Sequence, residues 1–341
     1  MIAKPEEILL FEKNKVIKKT ICINNTNSKA GDVFHIAYGI DKNFLFGAAI
    51  SITSVIINNR DKYFSFHIFT DYIDNDYILR AEELCKKFNT EIIIYLINTD
   101  CLNELPSHKW PLATYFRFII FDLLSKDNNS LLYLDADIIC KGPINDIIEL
   151  NINDHFAAVV PDISSMQPLA VERLENNEIY NHYFNAGFLY INLFEWKINK
   201  FTEKAMSLLT DPIRGKKLKY QDQDALNILF FKKTILLPRK FNCIYSIKDE
   251  LKDKTHKEYK STITDESIFI HYVGATKPWH AWGQYSSTIY FQHAYRESTW
   301  HDFPLIQAVT PSQWKEKSKH EFQKNKFLKG IISRVIYYTI K

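Results

Sequence analysis

The chain has 341 residues, and Lys+Arg 43 against Asp+Glu 40 leaves a net charge of +3, too balanced for a protein that coats a polyanion with its whole surface. An apolar fraction of 46% excludes a disordered chain, and 9 glycines exclude collagen-like and glycine-repeat designs. The length suggests two domains, or one large α/β unit with appendages, at roughly 150 residues per domain.

The five cysteines, Cys22, Cys85, Cys101, Cys140 and Cys243, are scattered and contain no C-x-x-C pair, which argues against a disulfide framework or a zinc cluster. The first 20 residues hold Pro5 among glutamates and lysines, without the apolar core of a signal peptide. The longest apolar stretch, Phe44 to Ile57, carries Ser51, Thr53 and Ser54 and falls short of the ~18 residues a spanning helix needs. These features predict a soluble protein of a reducing cytoplasm, with no nucleic-acid partner.

Residues 1–30 are polar, lysine-rich and aperiodic, and read as an N-terminal extension. From Val33 short β-rich runs alternate with helical ones: VFHIAY (33–38), an amphipathic run to about Asn58, YFSFHIF (63–69), DNDYILRAEELCKKFN (74–89), EIIIYLI (91–97), LATYFRFIIFDLL (112–124) and LLYL (131–134). Such alternation is the signature of parallel βαβ units. EIIIYLI and LLYL are apolar on both faces, as strands covered by helices on each side should be. Beyond Asp137 the order loosens into mixed α+β: a short helix near 144–150, strands at 156–160 and 185–193, and helices near 195–209 and 222–232. KDELKDKTHKEYK (248–260) reads as a solvated loop, and the pattern after Trp300 is helical.

Four segments carry the chemistry. In LLYLDADIICKGPI (131–144), Asp135 and Asp137 stand two apart at the end of a buried strand, so they can present two carboxylates to one side. That end is where ligands bind in open α/β sheets, and two hard oxygen donors suit a divalent cation holding phosphate oxygens; the alternative is a plain acidic turn. In IFIHYVGATKPWH (268–280), a short strand delivers His271, followed by Gly274 and Lys277. His271 is either a third metal ligand, which would favour Mn²⁺ somewhat over Mg²⁺, or a hydrogen-bonded core histidine. Lys277 is a point charge of the kind that binds phosphate.

In KYQDQDALN (219–227), Asp222 and Asp224 either cap a helix or, with Gln221 and Gln223, hydrogen-bond sugar hydroxyls. In HYFNAGFLYIN (182–192), Asn185-Ala186-Gly187 marks a bulge or the close approach of a ligand. Arg117 sits in an otherwise apolar helix and requires an anion, either an internal carboxylate such as Asp122 or a bound phosphate or acid. Trp279 and Trp282, beside the His271 segment, are candidates for sugar stacking. Neither G-x-x-x-x-G-K-[ST] nor G-x-G-x-x-G is present, which weakens P-loop and dinucleotide readings.

Together AYGIDKNF, TYFRF with LLYLDADIICKG, YFNAGFLYINL with YQDQDALN, and HYVGATKPWH resemble glycosyltransferase family 8, in this order and spacing, over about residues 31–300. Within it the chain is most similar to enterobacterial lipopolysaccharide core glucosyl- and galactosyltransferases. The resemblance implies a GT-A fold with a mixed, mostly parallel central sheet, a UDP-hexose donor, a divalent cation (Mn or Mg) and transfer with retention of configuration. By position, Asp135 and Asp137 resemble the D-x-D ligands and His271 the third. Ala37, Tyr38, Gly39, Asp41 and Asn43 resemble the uridine edge, with Ala136 beside them. Gly274 and Lys277 look like diphosphate contacts, and Arg117, Asp162, Asn185, Ala186, Asp222 and Gln223 match positions around the donor hexose.

Some family members carry consecutive acids after the first strand. Here Gly39-Ile40-Asp41 stands instead, so the acid that meets the uracil or ribose is left open. The implied mechanism places Gln223 and Asp222 nearest the reacting carbon, Asp135 and Asp137 acting through the metal. A front-face route assisted by phosphate is favoured over a covalent intermediate, because an amide is a poor nucleophile.

The implied acceptor is a lipopolysaccharide core hydroxyl, and the implied catalytic domain is 31–300. The tail, 301–341, is expected to be helical: within it residues 313–341 hold 8 basic and 2 acidic residues, with apolar pairs at 327/328, 331/332 and 335/336. A basic amphipathic helix reads as a membrane-surface element, here peripheral on the inner face of the cytoplasmic membrane; its alternative is a helix packed on the protein's own body. Rival classes are a family 8 transferase for another glycan or a protein, a non-catalytic nucleotide-sugar binder, and a nucleotide-sugar pyrophosphorylase, which would want a glycine-rich first loop.

Overall fold

The computed structural model describes residues 11–24, 33–106 and 110–341. Eleven strands occur among them: β1 Ile17–Asn24, β2 Val33–Ile40, β3 Tyr63–Thr70, β4 Glu91–Ile97, β5 Ser130–Leu134, β6 Ile138–Cys140, β7 Ala157–Pro161, β8 Phe184–Asn192, β9 Thr234–Leu236, β10 Cys243–Ser246 and β11 Phe269–Val273. The helices are α1 Lys13–Val16, α2 Leu45–Asn58, α3 Asn75–Phe88, α4 Phe116–Leu124, α5 Asn145–Ile148, α6 Met166–Leu174, α7 Leu193–Ile198, α8 Phe201–Thr210, α9 Gln221–Leu229, α10 Ile289–Glu297, α11 Pro311–Gln323 and α12 Phe327–Ile340.

The described residues form two compact units, the first from residues 11–24, 33–43, 62–106, 110–135 and 145–237 and the second from 44–61, 136–144 and 238–341. The first unit holds an eight-stranded sheet in the order β1-β4-β3-β2-β5-β8-β7-β9. β4, β3, β2 and β5 run parallel, while β8 pairs antiparallel with both β5 and β7. The chain steps outward from β2 to β4 and returns to β5 on the other side of β2, which makes the carboxyl ends of β2 and β5 a topological switch point. α4 is apolar all round apart from Arg117 and Asp122 and is buried throughout, so its burial rather than its amphipathicity decides its place. α3 starts on Asp74, whose side chain accepts the Tyr77 N–H, and stops at Asn89 in the left-handed conformation.

Two sequence expectations change here. Residues 17–24, read as part of an aperiodic extension, form the edge strand β1, antiparallel to β4; residues 1–10 and 25–30 of that extension lie outside the described residues. The lysines of β1 are exposed and Ile23 is buried, and charged side chains are tolerated at a sheet edge, which masks strand periodicity.

The second unit holds a three-stranded sheet, β10-β11-β6. β10 and β11 are parallel, and β6 is antiparallel to β11. α2 absorbs the longest apolar stretch and is almost wholly buried; among the described residues no helix is long and apolar enough to cross a membrane. Residues 248–260, read as a solvated loop, instead wind around two buried carboxylates. Glu250 accepts from Tyr245 Oη at 3.0 Å, and Asp253 accepts the N–H groups of Thr255, Lys257 and Glu258.

Candidate active site

In the first unit, Arg117 is the hub. Its Nη1 donates to Ala186 O at 2.6 Å and its Nη2 to Asp135 Oδ1 at 3.1 Å, while Nε lies 3.0 Å from Asp222 Oδ2. Its anions are therefore Asp135 and Asp222, not Asp122, which accepts from the Phe11 N–H and the Thr202 hydroxyl. Burial opposes the Arg117 charge, but Asp222, Tyr133 and Asp135 outweigh it and hold the guanidinium protonated beyond the ordinary arginine range. Burial pushes the Asp222 carboxyl up to about 7, Asp135 adding to the rise and Arg117 opposing it.

Gln223 is fixed at all four amide positions. Oε1 accepts from Ala186 N at 3.0 Å and Asn185 Nδ2 at 3.3 Å; Nε2 donates to Asp162 Oδ2 at 2.9 Å and Tyr183 Oη at 3.0 Å. Behind it lies a buried network that the sequence did not announce. Arg173 donates to both Asp224 oxygens, and Tyr183 Oη donates to Asp224 Oδ1 at 2.6 Å. The Asn227 amide spans α9 and β8, accepting from Phe184 N and donating to Phe184 O.

The Q-D-Q-D run thus divides. Asp222 and Gln223 meet Arg117, Asp162 and Ala186, whereas Asp224 is fully buried against Arg173 and Gln221 donates to Pro106 O at 2.9 Å. The four residues do not act as one sugar-binding cluster. In β2, Ala37 and Tyr38 are fully buried and Gly39 is partly so; beyond the strand, Asp41 Oδ1 accepts the Asn43 N–H at 2.8 Å.

In the second unit, Asp137 Oδ1 lies 3.1 Å from His271 Nε2, and Lys277 Nζ donates to Asp137 Oδ2 and, at 3.0 Å, to Tyr272 O. Register explains the first contact. β6 pairs His271 with Ile138, next to Asp137, and Tyr272 N donates to Asp137 O at 2.9 Å. Burial works against the Asp137 carboxylate, yet Lys277 and His271 hold it well below the usual carboxylate range. His271 Nδ1 is 3.1 Å from Asn242 Oδ1, so Nδ1 donates there and Nε2 is the nitrogen presented toward Asp137. Gly274 has φ +93, a conformation that side chains rarely adopt, in the turn between β11 and Lys277.

Trp279 and Trp282 are buried, Trp279 edge-on to Phe44 at 5.6 Å and Trp282 stacked on His280 at 4.3 Å. They are core residues and not stacking platforms for a sugar.

Only Ala136 separates Asp135 from Asp137, so the chain itself keeps the two carboxylates near each other. With His271 they form a donor set that could hold a metal ion. The residues fit a divalent cation: two hard carboxylates, one imidazole whose Nε2 faces Asp137, and a lysine ammonium already drawn to Asp137.

A family model for glycosyl transferase family 8 matches residues 35–283, and one for the C-terminal region of that family matches residues 285–341. A lipopolysaccharide 1,2-glucosyltransferase of Escherichia coli is 45% identical over 311 residues, covering 91% of this chain and 92% of the relative. A lipopolysaccharide 1,3-galactosyltransferase of Salmonella typhimurium is 40% identical, covering 97% and 98%. Among solved structures, the galactosyltransferase LgtC in complex with donor and acceptor sugar analogs aligns with a TM-score of 0.63 at 22% identity, covering 83% of this chain and 100% of that one, a likeness of fold. The D-x-D pair at the carboxyl end of β5, the mostly parallel sheet of the GT-A fold and these matches have one reading: the chain is a glycosyltransferase and belongs to glycosyltransferase family 8.

Proposed function

We propose that this chain is a retaining hexosyltransferase that moves glucose or galactose from a UDP-sugar to a hydroxyl of the lipopolysaccharide outer core, in α-1,2 or α-1,3 linkage. The observation that carries this reading is the donor set Asp135, Asp137 and His271 at the end of a switch-point strand. The relatives named as lipopolysaccharide glucosyl- and galactosyltransferases, matched over nearly their whole length, support the acceptor class.

A divalent cation on Asp135, Asp137 and His271 would neutralise diphosphate charge as UDP departs. Lys277 is the protein's own cation for the diphosphate, and Gly274 lets the backbone come close to it. Ala37, Tyr38, Gly39, Asp41, Asn43 and Ala136 form the uridine edge; since Ala37 and Tyr38 are fully buried in β2, Gly39, Asp41 and Asn43 at the end of the strand are its accessible part. Arg117, Asp162, Asn185, Ala186 and Asp222 surround the hexose. Asp222 is paired with Arg117 and both Gln223 amide groups are consumed by protein partners, so neither is poised as a nucleophile. This favours a front-face route: the C1–O bond to UDP breaks through an oxocarbenium-like centre, the acceptor hydroxyl attacks from the same side, and its proton passes to the departing phosphate oxygen.

Incubating the protein with UDP-glucose or UDP-galactose and truncated core lipopolysaccharides tests the reading. Asp137→Ala should abolish both transfer and UDP-hexose hydrolysis. Metal-dependent transfer surviving that change would overturn the assignment, whereas donor binding without turnover by the wild type would favour a non-catalytic nucleotide-sugar binder.

The tail supports peripheral contact with the inner face of the cytoplasmic membrane. α12 turns Gly330 and Ser333 inward and leaves Phe327, Leu328, Ile331, Ile332 and Val335 exposed, so its apolar residues are not spent on packing against the protein's own body. Loss of vesicle binding on removing residues 313–341 checks this.

A further inference from the structure

In the second unit α11 and α12 pack on each other, with Ser333 Oγ donating to the buried Glu321 carboxylate at 2.6 Å. Beside them is a cavity of about 390 Å³ whose lining includes Lys317, Lys324, Lys326, Lys329, Trp282 and Trp314. Glu321 is the sole acid of that lining. Lys324 is held by carbonyls, donating to Trp282 O at 2.9 Å and Gln284 O at 2.7 Å, with its ammonium 3.8 Å from the Tyr285 ring centre. Lys317 lies 4.4 Å over the Trp314 ring. Among the described residues Lys326 and Lys329 have no ion-pair partner, and both are exposed.

Four ammonium groups around one cavity with a single carboxylate repel each other unless an anion joins them. Burial, with Lys326 adding and Glu250 and Glu321 opposing, brings the Lys324 ammonium down to about 8. Lysine point charges suit phosphate. Ile332 and Ile336 also line the cavity, and Ile332 belongs to the exposed apolar face of α12, so a cationic pocket runs into an apolar surface. That sequence of surfaces matches an amphiphile with an anionic head.

We propose that this cavity holds the phosphate of an anionic phospholipid, Lys317, Lys326 and Lys329 meeting the headgroup while the apolar face of α12 lies among the acyl chains. The inference rests on the membrane-surface reading of the tail and gives it a site and a lipid class.

The full chain is floated with vesicles of phosphatidylcholine alone or with phosphatidylglycerol added. It is compared with Lys317→Gln/Lys326→Gln/Lys329→Gln and with a charge-matched control, Lys315→Gln/Arg334→Gln/Lys341→Gln, whose positions do not line the cavity. The cavity variant should lose about tenfold or more of the phosphatidylglycerol-dependent partitioning, because its three lysines converge on one phosphate whereas the control's cations face it only diffusely. The control should keep most of it, and all three proteins should transfer hexose equally to a soluble truncated core saccharide. Equal losses in the two variants would overturn the site in favour of diffuse charge. Wild-type binding indifferent to phosphatidylglycerol would overturn the anionic headgroup while leaving the membrane reading intact, and no wild-type binding to either vesicle would overturn both. Release from the vesicles by millimolar inorganic phosphate, at constant ionic strength, would assign the cavity to a free anion and overturn the lipid. Leu328→Asp should weaken binding to both vesicle types and so reports on the membrane reading alone.

Discussion

Asn242 Oδ1 lies 3.1 Å from His271 Nδ1, and the opposite ring nitrogen of that histidine faces Asp137 at 3.1 Å. Asn242, fully buried at the end of a short turn before β10, therefore selects which tautomer His271 presents. Asn242→Ala should raise the metal concentration needed for half-maximal transfer about 10–100-fold, as loss of an orienting partner does in metal sites. Asn242→Asp, which keeps the acceptor, should recover most of it. Metal titrations of initial rate decide this, with circular dichroism as the check on folding.

Tyr183 connects Gln223 to the Arg173–Asp224 pair. Its hydroxyl donates to Asp224 Oδ1 and accepts from Gln223 Nε2 and Arg173 Nη2. Tyr183→Phe leaves Gln223 with one fewer acceptor and Asp224 with one fewer donor, at a cost to stability of about 1–3 kcal/mol. If Gln223 positions the hexose, kcat should fall more than the donor KM rises, and a purely structural tyrosine would leave kcat unchanged at temperatures where the variant is folded.

Gly47 of α2 packs directly on Trp279. A Cβ there would stand 2.6 Å from the indole and 3.0 Å from Ala136 O, the peptide between the two aspartates. Gly47→Ala should destabilise by about 1–3 kcal/mol through overpacking and reduce turnover by displacing Ala136. A melting curve and kcat on the same preparation test it; unchanged values for both would refute the close packing.

Acid should destabilise the fold well above the carboxylate range. Burial lowers His280 to about 4, and His67 and His320 to about 3. Folded values below the unfolded 6.5 mean that the unfolded chain takes up protons the folded chain refuses. The stability these groups contribute is complete above pH 6.5 and is lost as pH falls from 6.5 toward 4 and 3. Each contributes on the order of 1–2 kcal/mol of loss at pH 5. The thermal midpoint should fall between pH 7 and pH 5; a flat midpoint would count against these histidines being held neutral.

Much of the site was legible because spacing constrains it. Two carboxylates at i and i+2 after LLYL stay near each other whatever the rest of the chain does, and β5 forms where its apolar run predicts. His271 was legible as the polar residue of an apolar strand, though its pairing with Asp137 needed the antiparallel register of β6 and β11. The partners of Arg117 were not legible: choosing Asp222 and Asp135 over Asp122 requires knowing that α9 and the end of β5 reach α4, whereas Asp122 turns to Phe11 and Thr202. Arg173, Tyr183 and Asn242 carried no local signal, since buried polar residues acquire a role only from what packs around them.

The amino-acid sequence by itself determined the alternation of strands and helices, the D-x-D pair and the basic amphipathic tail, because each depends on periodicity or short spacing, and its motifs in order carried the resemblance to the family. Tertiary structure alone decided that β1 completes the sheet, that Trp279 and Trp282 are core, that Gln223 is bound on all sides, and that α12 packs through its small residues. Those outcomes depend on contacts between segments far apart in the chain, where burial and hydrogen-bond satisfaction choose among partners that local pattern treats as equal.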